Sequence, residues 1–248
     1  MITSLENPRV KEVLRLRKGR ERRRVGLFIA EGRREVQRAL DAGLVVRSVY
    51  VAPELLADWA GGGEEVSARV LARMSYRAEP EGVLAVVEIP HRPLPEPSTL
   101  LLVAVGIEKP GNLGAMARTA DAAGADALLV ADANVDPWNS NAIRASTGAV
   151  FTLPIVEASR DEIAALTHAK VAAVLGAGRI HTEATYTGPT AFLVGAEDNG
   201  LSAEWRAVAD TEVEIPMRGA AADSLNASAA AAVLLFEAVR QRSSHEYR

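Results

Sequence analysis

From Leu100 to Val105 every position is apolar, the pattern of a strand covered on both faces. The same density returns at Ala127–Ala131, Val171–Leu175 and Ala191–Val194, with Thr211–Ile215 as a further strand and Phe151–Val156 extended. Between these runs the spacing turns helical, at Leu113–Ala123 (closed by Gly124), Asn141–Thr147, Asp161–Leu166, Ala203–Ala209 and finally Leu225–Arg240. Strand–helix alternation of this kind predicts α/β architecture, a parallel sheet with helices on both faces.

The first third reads differently. Val10, Val13 and Leu14 share one helical face, while Arg9, Lys11, Arg15, Lys18 and Arg22 flank it or face away. Val25–Ala30 predicts a strand, Glu31–Ala42 a helix with Val36, Ala39 and Leu40 inward, and Gly43 its end. Val45–Val51 and Val83–Ile89 predict two more strands, and Pro53–Trp59 a short helix. The two parts meet at His91–Ser98, where three prolines in eight residues make a stiff linker. The expected organisation is a small α/β domain over 1–90, a linker over 91–98 and a larger α/β domain over 99–248.

Composition adds exclusions. The chain has 248 residues and no cysteine, which removes disulfides, thiolate metal sites and cysteine nucleophiles. The N-terminal stretch lacks the apolar core of a signal peptide, and no apolar run approaches the roughly 18–20 residues of a membrane span. The expectation is a cytoplasmic protein. The net charge of −4 conceals an asymmetry: residues 1–40 hold 12 basic and 5 acidic side chains, and the remainder hold 16 and 27. A basic head on an acidic body suggests a polyanion for the head, or else a solvated arginine-rich helix face.

In parallel α/β sheets ligands sit beyond the carboxyl ends of the strands. Four such ends carry unusual turn chemistry: Glu108–Arg118, Gly176–Gly178, Gly195–Gly200, and Pro216–Gly219 running on to Asp223–Ser228. Neither common glycine-rich phosphate signature is present, which disfavours a dinucleotide-binding dehydrogenase. The four histidines show no metal-ligand spacing, so no metal is expected; each histidine reads as surface or loop. Ser224 and Ser228 lack a nearby histidine for nucleophilic chemistry. Asn112 and Asn226 could simply cap helices, and Glu197 and Asp198 could order their own turn.

Three segments in order resemble the SpoU branch of the SPOUT RNA methyltransferases, the TrmH-like ribose 2′-O-methyltransferases. They are Asn112-Leu-Gly-Ala-Met-Ala-Arg118, Leu193-Val-Gly-Ala-Glu-Asp-Asn-Gly-Leu-Ser202, and Ile215-Pro-Met-Arg-Gly219 with Asp223-Ser-Leu-Asn-Ala-Ser228. The stretch Arg218–Ala222 between the last two pieces is longer than the family pattern. Residues 1–90 resemble the L30e-like substrate-binding domain often fused ahead of this catalytic domain, through Asn7–Val10, Phe28–Gly32 and Glu81–Val86.

The resemblance implies a C-terminal trefoil knot, a homodimer with the site completed across its interface, and S-adenosylmethionine as cofactor. Leu175, Gly176, Ala177, Gly195, Glu197, Gly200, Ile215, Met217, Ser224, Leu225 and Asn226 would hold the cofactor. It implies that Arg118, Asn112, Glu197, Ser224 and Asn226 form the catalytic group, with Arg118 central and Asn226 orienting it or the ribose. Glu197 would hold Asn112 or the knot loops, and Ser224 would hydrogen-bond in the same cluster. Because an arginine keeps its proton to above about pH 12, phosphate clamping is a safer role for Arg118 than general base. Arg15, Arg17, Arg20, Arg22, Arg23, Arg24, Gly32, Arg33 and Arg34 would then meet RNA. The implied activity is methyl transfer to a ribose 2′-hydroxyl, in 23S ribosomal RNA first and transfer RNA second. An RNA-binding assembly factor without turnover is the reading from another class.

Overall fold

The structure, a computed structural model, describes residues 1–132, 134–219 and 223–246. Ala220–Ala222 of the long stretch after Met217, and the side chain of His245, lie outside the described residues. By packing the chain divides into two units, Met1–His91 with Asp136–Phe151, and Arg92–Val135 with Thr152–Arg248.

The first unit begins with α1 (Pro8–Arg15), where Asn7 accepts the Arg9 amide and Pro8 fills a position that needs no donor. Val10 and Val13 are buried beneath it, with Arg9, Lys11 and Arg15 exposed as predicted. α2 (Gly19–Val25) ends at Gly26, which has φ 67°. Val25 is therefore the last helical residue rather than the start of a strand, and β1 is Leu27–Glu31.

α3 (Arg33–Asp41) buries Glu35, Val36 and Ala39. Leu40, expected inside, is exposed, because Glu35 takes the inward place and shifts the buried arc away from it. β2 (Val46–Val51), β3 (Glu64–Glu65), α4 (Ala68–Met74) and β4 (Val83–Glu88) complete the unit's first 91 residues. Pro53–Trp59 forms turns and not the predicted helix. The sheet order is β1-β4-β2-β3, with β4 antiparallel to both neighbours. The later segment Asp136–Phe151, with the helix Ser140–Ser146, packs here: the Phe28 ring lies 5.0 Å from Trp138 and 5.7 Å from Phe151.

In the second unit β5 (Leu100–Val105) is buried at all six positions. It is followed by α5 (Pro110–Ala122) and β6 (Ala127–Ala131); α6 is the Ser140–Ser146 helix of the first unit. Then come β7 (Ile155–Glu157), α7 (Arg160–Ala164), β8 (Ala169–Ala173), β9 (Thr190–Val194), α8 (Ala203–Arg206), β10 (Thr211–Val213) and α9 (Ala227–Glu246). All strand pairs are parallel, in the order β10-β8-β9-β5-β6-β7. Leu101, Val103 and Val105 pack with Ile163 of α7 and Trp205 of α8 on one face, while α5 and α9 pack together and against the other. The chain leaves β5 toward β6 and returns on its other side through β8 and β9. The β5/β9 boundary is thus the switch point, where the loops after two neighbouring strands part and leave a crevice.

Candidate active site

The loops after β5 and β9 meet at that crevice. Asn112, on the first turn of α5, and Glu197, two residues into the loop after Gly195, are joined by Asn226, the residue before α9. The Asn226 amide nitrogen donates to Asn112 Oδ1 at 3.1 Å and to Glu197 Oε1, while its oxygen accepts the Ser228 amide at 2.9 Å. Asn226 is therefore both the cap of α9 and the link between the two loops. Asn112 is no cap: it lies inside α5 with its side chain turned to Asn226. Lys109 donates to Glu197 Oε2. With Lys109 first and the Asn112 amide second, the Glu197 carboxyl is held below the ordinary carboxylate range, against the opposing effect of burial.

Beside this network a pocket of about 330 Å3 opens at the ends of β8, β9 and β10. Of the residues expected at the cofactor, Leu175, Gly195, Glu197, Gly200, Ile215, Met217, Ser224 and Leu225 line it. Gly176, Ala177 and Asn226 do not: the chain beyond Leu175 runs into the pairing of Arg179–His181 with Glu214, Ala173 and Val174 line the pocket instead, and Asn226 stands in the polar network with Asn112 and Glu197. Ser224 lines the pocket but makes no hydrogen bond among the described residues, a correction to its place in the polar cluster.

The loop 195–200 closes on itself, with the Gly200 amide 2.9 Å from Ala196 O. A Cβ on Gly195 would stand 2.7 Å from the Leu201 nitrogen and closer still to the Gly200 carbonyl, so only glycine allows this closure. An apolar wall of Leu175, Ile215, Met217 and Leu225 beside open backbone suits a ligand with a flat apolar face and polar edges. Its volume falls in the range of about 300–1,000 Å3 that small-molecule sites occupy. These residues fit a nucleoside-bearing methyl donor.

Arg118 stands apart. It lies six residues beyond Asn112 on α5, about 9 Å along the axis and roughly 120° around it. It is exposed and its side chain forms no hydrogen bond or ion pair among the described residues. Among those residues no group of three or more His, Asp or Glu is placed to hold a metal.

The expected RNA-facing arginines also divide. Arg15, Arg20 and Arg23 are exposed; Arg24 pairs with Glu21, Arg33 with Asp58 and Arg34 with Glu35. Arg22 is buried, ion-paired with Asp136 at 2.7 Å and donating to Leu16 O at 2.7 Å, so it is withdrawn from any RNA surface. Arg17 is half-buried, bound to Ser75 O with its guanidinium over the Tyr76 ring. Gly32 is buried with φ 99° and shapes the start of α3. Sequence reasoning gave no role to Lys109 or to Asp136; a lysine beside a proline and an aspartate in a loop carry no signal until their partners are known.

An all-parallel sheet with a polar network and a pocket at the carboxyl ends of its strands, in a chain that also holds a second α/β unit, defines a two-unit α/β protein with a small-molecule site on its parallel sheet. Residues 99–236 match the SpoU rRNA Methylase family and residues 7–85 the MRM3-like substrate binding domain, and the chain belongs to the SpoU rRNA methylase family. It is 36% identical over 248 residues to the 23S rRNA (uridine(2479)-2′-O)-methyltransferase of Streptomyces viridochromogenes, covering 90% of this chain and 86% of that one. It is 30% identical to the 23S rRNA (guanosine(2553)-2′-O)-methyltransferase RlmP of Bacillus subtilis, over 95% and 97%. Among solved structures, the AdoMet-bound rRNA methyltransferase from Sinorhizobium meliloti superposes with a TM-score of 0.86 at 32% identity, over 96% and 97% of the two chains. A crystal structure of an RNA 2′-O ribose methyltransferase gives 0.83 at 44% identity, over 98% and 99%.

Proposed function

We propose that this chain transfers the methyl group of S-adenosylmethionine to a ribose 2′-hydroxyl of 23S ribosomal RNA. The observation that carries the reading is the pocket at the ends of β8–β10, joined through Glu197 and Asn226 to Asn112 at the start of α5. The bound cofactor supplies an electrophilic methyl group. The residues of the chain supply position. Ile215, Met217 and Leu225 give the pocket apolar walls, and the Asn112–Asn226–Glu197 bonds fix the rim against which the ribose must lie. Arg118, with its guanidinium free, clamps the phosphate next to the target ribose by a two-pronged bond, and the 2′-hydroxyl proton leaves to that phosphate or to water.

Arg118 lies outside the polar cluster of its own chain, which supports a homodimer in which it faces the partner's pocket. The reading also includes the C-terminal trefoil knot of the family, with the segment after β10 passing through a loop to close the cofactor site. No helix among the described residues is long and apolar enough to cross a membrane. The proposed location is the cytoplasm. Arg15, Arg20, Arg23, Arg24, Arg33 and Arg34 hold the RNA by its phosphates.

The test is transfer of labelled methyl groups to ribosomal and transfer RNA, followed by mapping of the modified ribose. The expected product is a single 2′-O-methylated nucleotide in 23S RNA; label confined to transfer RNA overturns the assigned substrate. Arg118→Ala is expected to abolish transfer while calorimetry still detects donor binding, and a fully active variant removes Arg118 from the mechanism.

A further inference from the structure

The first unit offers two arginines beyond those already assigned to RNA, Arg38 on α3 and Arg144 on α6, beside Arg34. Arg34 and Arg38 are one turn apart on α3, so their side chains leave the same helical face. Arg144, on α6, joins Arg34, Glu35, Arg77 and Glu81 around a cleft of about 340 Å3. The Arg38 stem runs against Gly148 just beyond α6, where a Cβ would meet Arg38 Cδ at 2.8 Å. Arg34, Arg38 and Arg144 are all exposed, and α3 and α6 thus present them on neighbouring parts of one surface.

The carboxylates of this region are occupied from within. Glu35 is 1% exposed and accepts Arg34 Nε at 3.1 Å and Nη2 at 2.6 Å, with Arg77 Nη2 at 3.5 Å. Glu31, also buried, accepts the amides of Tyr76 at 2.9 Å and Arg77 at 3.2 Å. The Arg38 side chain has no hydrogen bond or ion pair among the described residues, and the Arg144 side chain bonds only to Asn141 Oδ1 at 2.9 Å. Arg144 therefore stands without a carboxylate at a cleft where a buried glutamate holds Arg34 in place, and Arg38, also without one, leaves α3 one turn from Arg34 with its stem against Gly148. Like charges gathered on one surface and left unneutralised repel each other, and they become favourable when a polyanion supplies the missing charge. Planar, always-protonated forks match phosphate oxygens in pairs.

We propose that Arg34, Arg38 and Arg144 form a receptor for backbone phosphates of the RNA substrate, with Glu35 anchoring Arg34 from beneath. This rests on the reading of the chain as an RNA methyltransferase and extends its RNA contact to α6, whose sequence lies in the span matched by the catalytic family. The cleft reads phosphate, not base identity, so it sets affinity and register rather than choice of nucleotide.

The full chain carrying Arg38→Gln and Arg144→Gln tests it by binding to a labelled 23S RNA transcript across a salt series. Both side chains are exposed, and an unchanged near-ultraviolet circular dichroism spectrum checks the fold. Affinity is expected to fall about tenfold, and the slope of log affinity against log salt to flatten by about 0.7–0.9 for each arginine removed. Donor affinity stays the same. Arg144→Lys, which keeps the charge, is expected to retain most of the affinity. Unchanged affinity and slope in the double variant overturn the receptor while leaving the methyltransferase reading intact. A wild-type chain that neither binds nor methylates the transcript overturns that reading and the receptor with it.

Discussion

Glu197 serves two loops with one carboxylate, Oε2 toward Lys109 and Oε1 toward Asn226. Its folded-state pKa is lowered, chiefly by Lys109, so its contribution is complete above the ordinary glutamate value of about 4.3 and disappears only as pH falls through the lowered value. Donor affinity, followed by calorimetry down the acid range, is therefore expected to hold through pH of about 4.3 and weaken below it. Lys109→Met moves the onset upward toward the ordinary glutamate range, and a titration identical in the two proteins refutes the coupling. Gly195 makes a sharper demand. Because the atoms it would strike are backbone, no rotamer change relieves Gly195→Ala, and the loop must open. The expected cost is about 1–3 kcal/mol of donor affinity, roughly fivefold to 150-fold, with the melting temperature of the first unit unmoved. Donor binding at wild-type strength in that variant removes the loop from the site.

At the scale of elements, α2 and the Asp136–Phe151 segment depend on one buried ion pair. Arg22 and Asp136 keep 3% and 9% of their side-chain surface exposed, and Arg22 also donates to the carbonyls of Leu16 and Arg17. Removing one partner of such a pair leaves an uncompensated buried charge, so Asp136→Ala is expected to destabilise the first unit by about 3–5 kcal/mol. Urea unfolding monitored in the first unit, with donor binding as the readout for the second, separates the two effects; equal stability in mutant and wild type contradicts the account.

The same pair marks where sequence reading stops. β5 and β6 are legible to the residue because strands covered on both faces are apolar throughout. β8 is displaced to Ala169–Ala173 because Lys170 disguises its start and Val174 and Leu175, apolar for the pocket's sake, imitate its end. Asn112, Glu197 and Asn226 were legible from the family pattern, and the structure brings them together. Arg22 was misread because helical periodicity separates faces but does not know which distant aspartate will cover one. The Arg38 stem meets Gly148, and Arg144 joins Arg34 at one cleft, only through the placement of Asp136–Phe151 in the first unit, which no local pattern announces.

On the scale of the whole molecule, the separation of Arg118 from its own chain's Asn112–Asn226–Glu197 network decides how many chains make one site. If Arg118 serves the pocket of a partner, each site of a dimer takes its arginine from one chain and its asparagine from the other. A heterodimer of Arg118→Ala and Asn226→Ala chains then has one site carrying both lesions and one carrying neither. If each chain serves its own pocket, both sites carry one lesion and the mixture is as inactive as its parents. A closed two-fold assembly with two sites therefore predicts about half the wild-type rate for purified heterodimer, from two proteins that are each inactive. Differentially tagged chains, co-expressed and isolated by both tags, allow the comparison at equal concentration. Recovery of transfer establishes the composite site, and its absence in a verified heterodimer returns Arg118 to its own chain, where a movement of α5 would have to carry it to the pocket.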